Sequence, residues 1–416
     1  MRLEGTEAPA VDLPVRRNTI LLAATLAVNS CLFQLAAAVN SLTFVLVTGH
    51  RGLLGLGPAI FLASSGLAAL PAGRAMDRFG RVPVMAAGFV VAAFGCSLIA
   101  LATRTDSTVA VIVGMICTGA AGGVALLIRT AAGDMYPPER RARGIAYVIF
   151  GSVFGAILGP AVFSPLFAGK AVDVESLTVP WLAAAGLGLV ALLISLFVRP
   201  DPKRIGELLA TRRNDPPPQA AAPLREILRR PGVVPAMIAA LASFSVMVSV
   251  MNLTGYVVVE HHHHPQDDVF PIIGAHTFGM FALVLFVGPM IDRIGRSQSL
   301  WMGLVLMGAS CIGLAWFESV LGTGLLLFGL GLGWSISFVA ATAQLADRAA
   351  PAERGKLLGF NDQLSALLGA GLALLGGFAL DALGVTALAV GATAIVLLPL
   401  ARLLRRERVM PIREPG

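Results

Sequence analysis

Long apolar stretches separated by short polar segments form the dominant pattern of this chain. A helix needs about 20 apolar residues to cross a hydrocarbon core of about 30 Å, and most of these stretches reach that length. Because a bilayer offers the backbone no hydrogen-bond partners, helices are the expected spanning form. The pattern predicts twelve spans, numbered 1 to 12, at residues 19–42, 54–74, 83–102, 108–131, 144–168, 180–198, 233–259, 270–291, 300–317, 320–345, 357–380 and 384–403.

Composition indicates a membrane protein and narrows its chemistry. Hydrophobic residues make up 56% of the chain and charged residues 13%, whereas about a quarter of the residues in soluble domains are charged. We therefore predict an all-α integral membrane protein. The sequence contains no nucleotide-binding motif, and we expect no enzyme activity, no catalytic residues and no resident cofactor. The four cysteines all lie within spans, so no disulfide framework is expected.

The charges of the loops predict the orientation. Alternate loops hold most of the 31 Lys and Arg, and the loops on the opposite side hold only Arg51, Arg104 and Lys170. Since Lys and Arg concentrate on the cytoplasmic side, we expect both termini in the cytoplasm and the chain in the bacterial inner membrane. The net charge of +7 is then a topology signal, and nucleic acid is not an expected partner.

One motif occurs in both halves of the chain. Residues Gly73 to Arg81 read GRAMDRFGR and follow span 2, while Gly288 to Arg296 read GPMIDRIGR and follow span 8. Between the halves lies a basic stretch that ends in Pro216, Pro217 and Pro218, and such a run cannot continue a helix. The predicted domains are an N-terminal six-helix bundle at 1–198, a cytoplasmic linker at 199–231 and a C-terminal six-helix bundle at 232–416.

This repeated motif resembles the signature of the major facilitator superfamily, and the resemblance covers essentially the whole chain. It implies the major facilitator fold, with two bundles that alternate in access around a central site. The charges of the motif suit a salt-bridged latch on the cytoplasmic face, although topology alone also explains them. The predicted gating residues are Asp77, Arg78, Gly80, Arg81, Asp292, Arg293, Gly295 and Arg296.

Two pairs of side chains in adjacent spans have the most specific chemistry. Met247 and Met251 lie near the centre of span 7, and His276 and Met280 lie about two turns from the outer end of span 8. Each pair is spaced i, i+4 and therefore shares one helix face. The two spans run in opposite directions, so the four side chains, here called the quartet, can lie at one depth. His276 is costly inside a membrane unless it has a functional partner or a hydrogen bond to a neighbouring helix.

Three thioethers and one imidazole suit Cu(I), whereas zinc prefers thiolate or carboxylate ligands. The corresponding positions of the first half, at or next to Leu32, Ala36, Ile60 and Ser65, hold no comparable set. The fold alone therefore does not require the quartet. The quartet resembles the hallmark of the CcoA-like transporter family of copper importers, which implies copper as the transported substrate, delivered to a cytoplasmic acceptor protein for cytochrome oxidase assembly. The implied metal ligands are Met247, Met251, His276 and Met280.

Three further features are secondary candidates. His261, His262, His263 and His264 form an outer loop that suits metal capture or serves as a solvated turn. Cys31 in span 1 suits a metal relay, with inert packing as the alternative. The residue Asp362, at the start of span 11, suits coupling to a proton or a gate, and helix capping explains it as well.

A second function remains open from the sequence. The methionines also suit a flexible apolar lining for a small organic solute, such as riboflavin or a drug, in an importer or exporter of the same superfamily. In either case the lipid bilayer is a partner, and we expect a monomer. No carboxylate lies near the middle of a predicted span, so the sequence does not indicate which ion drives transport.

Overall fold

A computed structural model describes residues 13–137, 140–169, 173–213, 222–349 and 351–407. These residues form helices and contain no strand. The α-helices are α1 (Val15–Thr48), α2 (Leu56–Phe79), α3 (Arg81–Thr105), α4 (Thr108–Leu126), α5 (Ile128–Asp134), α6 (Arg141–Phe150), α7 (Ser152–Phe167), α8 (Thr178–Leu196), α9 (Pro202–Arg213), α10 (Leu224–Arg229), α11 (Val233–Tyr256), α12 (Val269–Phe281), α13 (Val284–Ile294), α14 (Arg296–Gly313), α15 (Val320–Asp347) and α16 (Pro351–Glu407).

The helices match the predicted spans. Ten stretches of the described residues are long and apolar enough to cross a membrane, and the last of them, Lys356–Pro399, has 44 residues. It bends at Gly384, whose φ of 78° suits glycine, and so accommodates spans 11 and 12. The shorter α14 corresponds to span 9 and packs against α15 and α16. Spans 4, 5 and 8 each consist of two consecutive helices. The prediction of an all-α membrane protein is confirmed.

The two faces of the molecule are named here after the predicted topology. The inner face holds Asp77 and Asp134, at the ends of α2 and α5, and the outer face holds the loop of His261 to His264. Helices of the two halves meet most extensively in the pairs α1 with α11, α2 with α16, and α7 with α12. The largest cluster of buried apolar side chains includes residues of all six of these helices.

Tight contacts between the halves close the outer side. A methyl group added to Gly255 of α11 would lie 1.9 Å from the carbonyl oxygen of Ala38 in α1. One added to Gly55, before α2, would lie 2.3 Å from the carbonyl oxygen of Ala373 in α16. Because real Cβ atoms do not approach so closely, glycine is needed at both positions for the helices to meet. We call these contacts the outer seal.

Aromatic packing completes the outer seal. The ring of Phe270, at the outer end of α12, lies 5.6 Å from the ring of Phe163 and 5.4 Å from the ring of Phe167, both in α7. The Ser164 hydroxyl also donates a hydrogen bond to the carbonyl oxygen of Asp267, at 3.1 Å. The structure is therefore in a conformation closed to the outer face.

Part of the predicted linker is helical. It contains α9 and α10, and the Asp201 carboxylate before α9 accepts hydrogen bonds from the backbone N–H groups of Arg81 (3.1 Å) and Val82 (2.8 Å). This carboxylate satisfies free N–H groups at the start of α3, so the beginning of the linker is attached to the first half. The later helix α10 packs on α11 and α16 of the second half. The run Pro216 to Pro218 lies outside the described residues, and the domain boundaries stay a prediction.

Candidate functional site

His276 lies at the centre of the predicted site and is completely buried. Its Nδ1 lies 2.8 Å from the carbonyl oxygen of Leu327 in α15. A carbonyl oxygen only accepts hydrogen bonds, so Nδ1 carries the proton and Nε2 carries a lone pair. Nε2 is buried and has no hydrogen-bond partner in the described residues. The ring is thus anchored to a neighbouring helix and also presents a free lone pair, which suits a metal or a hydrogen-bond donor.

The methionines of the quartet lie around the same helix, α15. A methyl group on Gly331 would lie 3.1 Å from Cγ of Met280. On α11, the Ser243 hydroxyl lies 2.6 Å from the Ser337 hydroxyl of α15, and Met247 lies one turn further out on the same face of α11. Helices α11 and α12 therefore both pack on α15, and they contact each other only slightly.

The structure buries all four side chains of the quartet on α11 and α12, two helices that both pack on α15. Relative exposures are 2% for Met247, 1% for Met251, 0% for His276 and 7% for Met280. The methionines belong to the large apolar core cluster, together with Cys31, which is fully buried. This burial suits both an apolar lining and a soft-metal site. Copper binding by the quartet and a relay through Cys31 stay predictions.

Of the four histidines of the outer loop, His262 and His264 lie closest to the protein body. Nε2 of His264 lies 2.8 Å from the carbonyl oxygen of Glu318, and the two imidazole rings are 6.4 Å apart. Nδ1 of His262 is buried and has no partner in the described residues. Burial lowers the pKa of His262, and the nearby Glu318 carboxylate opposes this shift. His262 is therefore neutral at neutral pH.

The other two histidines point elsewhere. The ring of His261 packs edge-on against Tyr256 at 6.0 Å, and His263 is exposed with a φ of 56°. Within the described part of the chain, no group of three or more His, Cys, Asp or Glu side chains could hold a metal ion. Metal capture by the loop stays a prediction, and in this conformation it would involve His262 and His264 at most.

The repeated motif makes ion pairs within each half. Arg81 lies 2.8 Å from both the Asp77 and the Asp134 carboxylates, and Arg296 lies 2.7 Å from Asp347. Both motif glycines have positive φ, 101° for Gly80 and 98° for Gly295, and each allows the turn between two consecutive helices. Arg78 and Arg293 are exposed. The side chain of Asp292 lies outside the described residues.

An ion pair does connect the two halves on the inner side. The guanidinium of Arg129, in α5, contacts the carboxylate of Asp362, in α16. We call this contact between Arg129 and Asp362 the inner link. Asp362, which the sequence suggested for coupling or gating, thus has a charged partner in the other bundle. Coupling to a proton stays a prediction. A gating role of the motif residues also stays a prediction, since their pairs join helices of the same bundle here.

A group of aromatic side chains was not predicted from the sequence. It consists of Phe244 in α11, Phe281 in α12, and Trp334 and Phe338 in α15, and we call it the aromatic cluster. Its members are partly buried, and Phe281 directly follows Met280 of the quartet in the chain. The i, i+4 spacing of Trp334 and Phe338 was the available signal, but apolar residues are so frequent in membrane spans that this spacing is not distinctive.

Comparison with known proteins decides the family. The sequence-family model described as Major Facilitator Superfamily matches residues 22–374 and 272–415 of this chain. The chain belongs to the major facilitator superfamily. This major facilitator protein resembles the riboflavin transporter RfnT of Brucella anthropi, with 30% identity over 361 residues, which cover 83% of this chain and 85% of RfnT. It is 29% identical over 359 residues to YdeG of Bacillus subtilis, named an uncharacterized MFS-type transporter, with 84% and 83% of the two chains covered.

Solved structures of this superfamily have the same fold. A POT family transporter in complex with 5-aminolevulinic acid superposes with a TM-score of 0.74 at 13% identity, covering 95% of this chain and 97% of that chain. The inward open xylose transporter XylE from E. coli superposes with a TM-score of 0.69 at 16% identity, covering 92% and 95%. The protein is thus a multi-pass membrane transporter of the major facilitator superfamily.

Proposed function

We propose that this major facilitator protein transports a small organic solute of the riboflavin type. The observation that carries the proposal is the similarity to the riboflavin transporter RfnT, which extends over most of both chains. The quartet then serves as an apolar lining, because methionine side chains adapt to irregular ligands. We place the protein in the bacterial inner membrane with both termini in the cytoplasm, in accord with its loop charges.

Riboflavin uptake tests the proposal. A bacterial strain that cannot make riboflavin, and has no importer of its own, would express the protein and receive radiolabelled riboflavin. We expect labelled riboflavin to accumulate and growth to recover at low external riboflavin, relative to cells with an empty vector. Unchanged accumulation in cells that carry correctly inserted protein would contradict the proposal.

Copper transport is a second candidate, favoured by one specific observation. His276 is fixed by its Nδ1 hydrogen bond to α15 and presents a buried Nε2 without a partner in the described residues, and the three thioethers of the quartet are buried on α11 and α12. Neutral thioether and imidazole ligands suit Cu(I) and need no deprotonation at neutral pH. In this case cellular copper would supply cytochrome oxidase assembly.

Radioactive copper uptake tests this second candidate. His276→Ala and Met251→Ala would each abolish copper accumulation and lower oxidase activity if the quartet binds copper. Met237→Leu is the matched control, because Met237 is a buried methionine of the same helix that packs in a separate cluster with Ile227 and Leu345. Full retention of copper accumulation in both alanine variants would exclude the quartet as a copper site.

A further inference from the structure

The aromatic cluster joins three helices of the second half. Trp334 and Phe338 stack with ring centroids 5.1 Å apart. Phe281 of α12 lies edge-on to Trp334 at 6.1 Å, and Phe244 of α11 lies 5.8 Å from Phe338 and 6.5 Å from Trp334. Ring pairs at such distances stabilise one another and also offer flat surfaces to a further ring.

The helix register directs this cluster toward the first half. Phe244 lies eleven residues before Gly255, about three turns, so both occupy the face of α11 that contacts α1 in the outer seal. Phe281 lies seven residues after Gly274, about two turns, and thus shares the face of α12 that contacts α7. The cluster therefore lies on the inner side of the outer seal, on surfaces that face the other bundle.

The exposed side of α15 lies opposite the side that carries Trp334. Leu321 and Leu325 are 74% and 63% exposed, and Trp334 lies nine residues after Leu325, which is about two and a half turns. Trp334 is therefore on the opposite side of the helix from these leucines. An indole at this place does not anchor the helix to lipid, because it points into the protein.

The Trp334 indole has an unused hydrogen-bond donor. Its Nε1 is buried and lacks a hydrogen-bond partner in the described residues. Buried donors are nearly always paired in native proteins, and a ligand is one of the groups that can pair with them. An indole N–H only donates, so the matching ligand group is a carbonyl oxygen or an unprotonated ring nitrogen.

We propose that Phe244, Phe281, Trp334 and Phe338 form the ring-binding surface of the substrate site, and that the Trp334 N–H donates to an acceptor on the edge of the bound ring. The substrate class is a planar heteroaromatic compound with carbonyl or ring-nitrogen acceptors. This inference rests on the proposed function, because riboflavin carries such a ring. His276, whose Nε2 has no partner in the described residues, lies five residues before Phe281 in α12.

Binding of riboflavin to purified protein in nanodiscs tests the surface, with flavin fluorescence as the signal, since stacking on indole quenches it. Trp334→Phe keeps a ring and removes the donor, whereas Trp334→Leu removes both. We expect the dissociation constant to rise about two- to tenfold in the first variant and further in the second. Trp301→Phe is the matched control, because Trp301 is 38% exposed in α14, and its affinity and quenching should stay unchanged.

Two outcomes separate this inference from the proposed function. Unchanged affinity and quenching in both Trp334 variants, together with normal riboflavin uptake, would overturn the ring-binding surface alone. No binding and no uptake by the wild-type protein would overturn both. Size-exclusion chromatography shows whether each variant is folded. If Trp334→Leu does not fold, Trp334→Phe and Phe338→Leu test the surface instead, and we expect both to bind riboflavin more weakly than the wild type.

Discussion

At the scale of single residues, His276 unites two predicted roles. One predicted role is a hydrogen bond to a neighbouring helix, which Nδ1 makes with α15. The other is a functional partner, and Nε2 has no hydrogen-bond partner in the described residues that would prevent it from binding one. The sequence could identify His276 as exceptional, because a titratable side chain is rare at that depth. It could not assign the partner, since Leu327 offers a backbone carbonyl that no side-chain pattern reveals.

The contact between α12 and α15 depends on a missing side chain. A methyl group on Gly331 would lie 2.4 Å from the carbonyl oxygen of His276, so Gly331→Ala forces the two helices apart. We expect about 1 to 3 kcal/mol of lost stability, as for other overpacked cores, and reduced uptake. Thermal unfolding in detergent measures the loss. Gly324→Ala in the same helix meets no atom within 4 Å and serves as control, and equal unfolding temperatures for the two variants would contradict the prediction.

The two candidate substrates differ in whether their transport needs the sulfur atoms of the quartet methionines. Leucine matches methionine in volume, so each of the two changes in a Met247→Leu and Met251→Leu double variant should cost less than about 1.5 kcal/mol of stability. We expect riboflavin uptake within about twofold of the wild type, because an apolar lining does not need sulfur. Uptake assays in the riboflavin-requiring strain measure this. A selective loss of copper uptake in the same variant would instead support a metal site.

At the scale of helices, the outer seal defines the conformation. Gly255 permits α1 and α11 to meet, so Gly255→Ala should favour the state that is open to the outside. The measurement is the rate at which a membrane-impermeant thiol reagent labels Ser41→Cys from the outer side, in a protein whose native cysteines are replaced. We expect faster labelling with Gly255→Ala. Gly371→Ala, which meets no atom within 4 Å, should leave the rate unchanged, and equal rates in the two variants would argue against the seal.

On the inner side, a partly exposed ion pair links helices of the two halves. Arg129 and Asp362 are 35% and 26% exposed, and ion pairs this exposed contribute about 1 kcal/mol or less. We expect Asp362→Asn to raise labelling of Phe338→Cys from the inner side by at most about fivefold, since the two bundles lose one attraction on that side. The charge-swapped double variant Arg129→Asp with Asp362→Arg should restore the original rate. If the swapped protein labels as fast as Asp362→Asn, the pair is not a gate.

At the scale of the whole molecule, hydropathy predicted the membrane-spanning helices, and the repeated loop motif predicted the fold through its resemblance to the major facilitator superfamily. These features are local in sequence, so a single chain reveals them. The aromatic cluster and the Arg129 to Asp362 contact join residues that are far apart in the chain, and their geometry depends on how the helices pack. For the same reason the sequence could place Met247 and Met251 on one face of a helix, but it could not reveal that α11 and α12 both pack on α15.

Orientation of the whole molecule is also testable. We expect a fluorescent protein fused after the C-terminus to mature inside the cell, and alkaline phosphatase fused after His264 to be active, because it is active only outside the cytoplasm. Both results follow from the distribution of Lys and Arg among the loops. Inactive phosphatase at His264, in a fusion that is present at normal abundance, would reverse the predicted topology and make the inner face external.

The substrate is measured most directly in proteoliposomes that contain only the purified protein. Parallel samples receive radiolabelled riboflavin or radiolabelled copper under reducing conditions, with protein-free liposomes as control. We expect time-dependent riboflavin uptake that unlabelled riboflavin competes away, and weaker uptake in Trp334→Leu than in Trp301→Phe. Copper uptake that depends on His276, with no uptake of riboflavin, would contradict the proposed function.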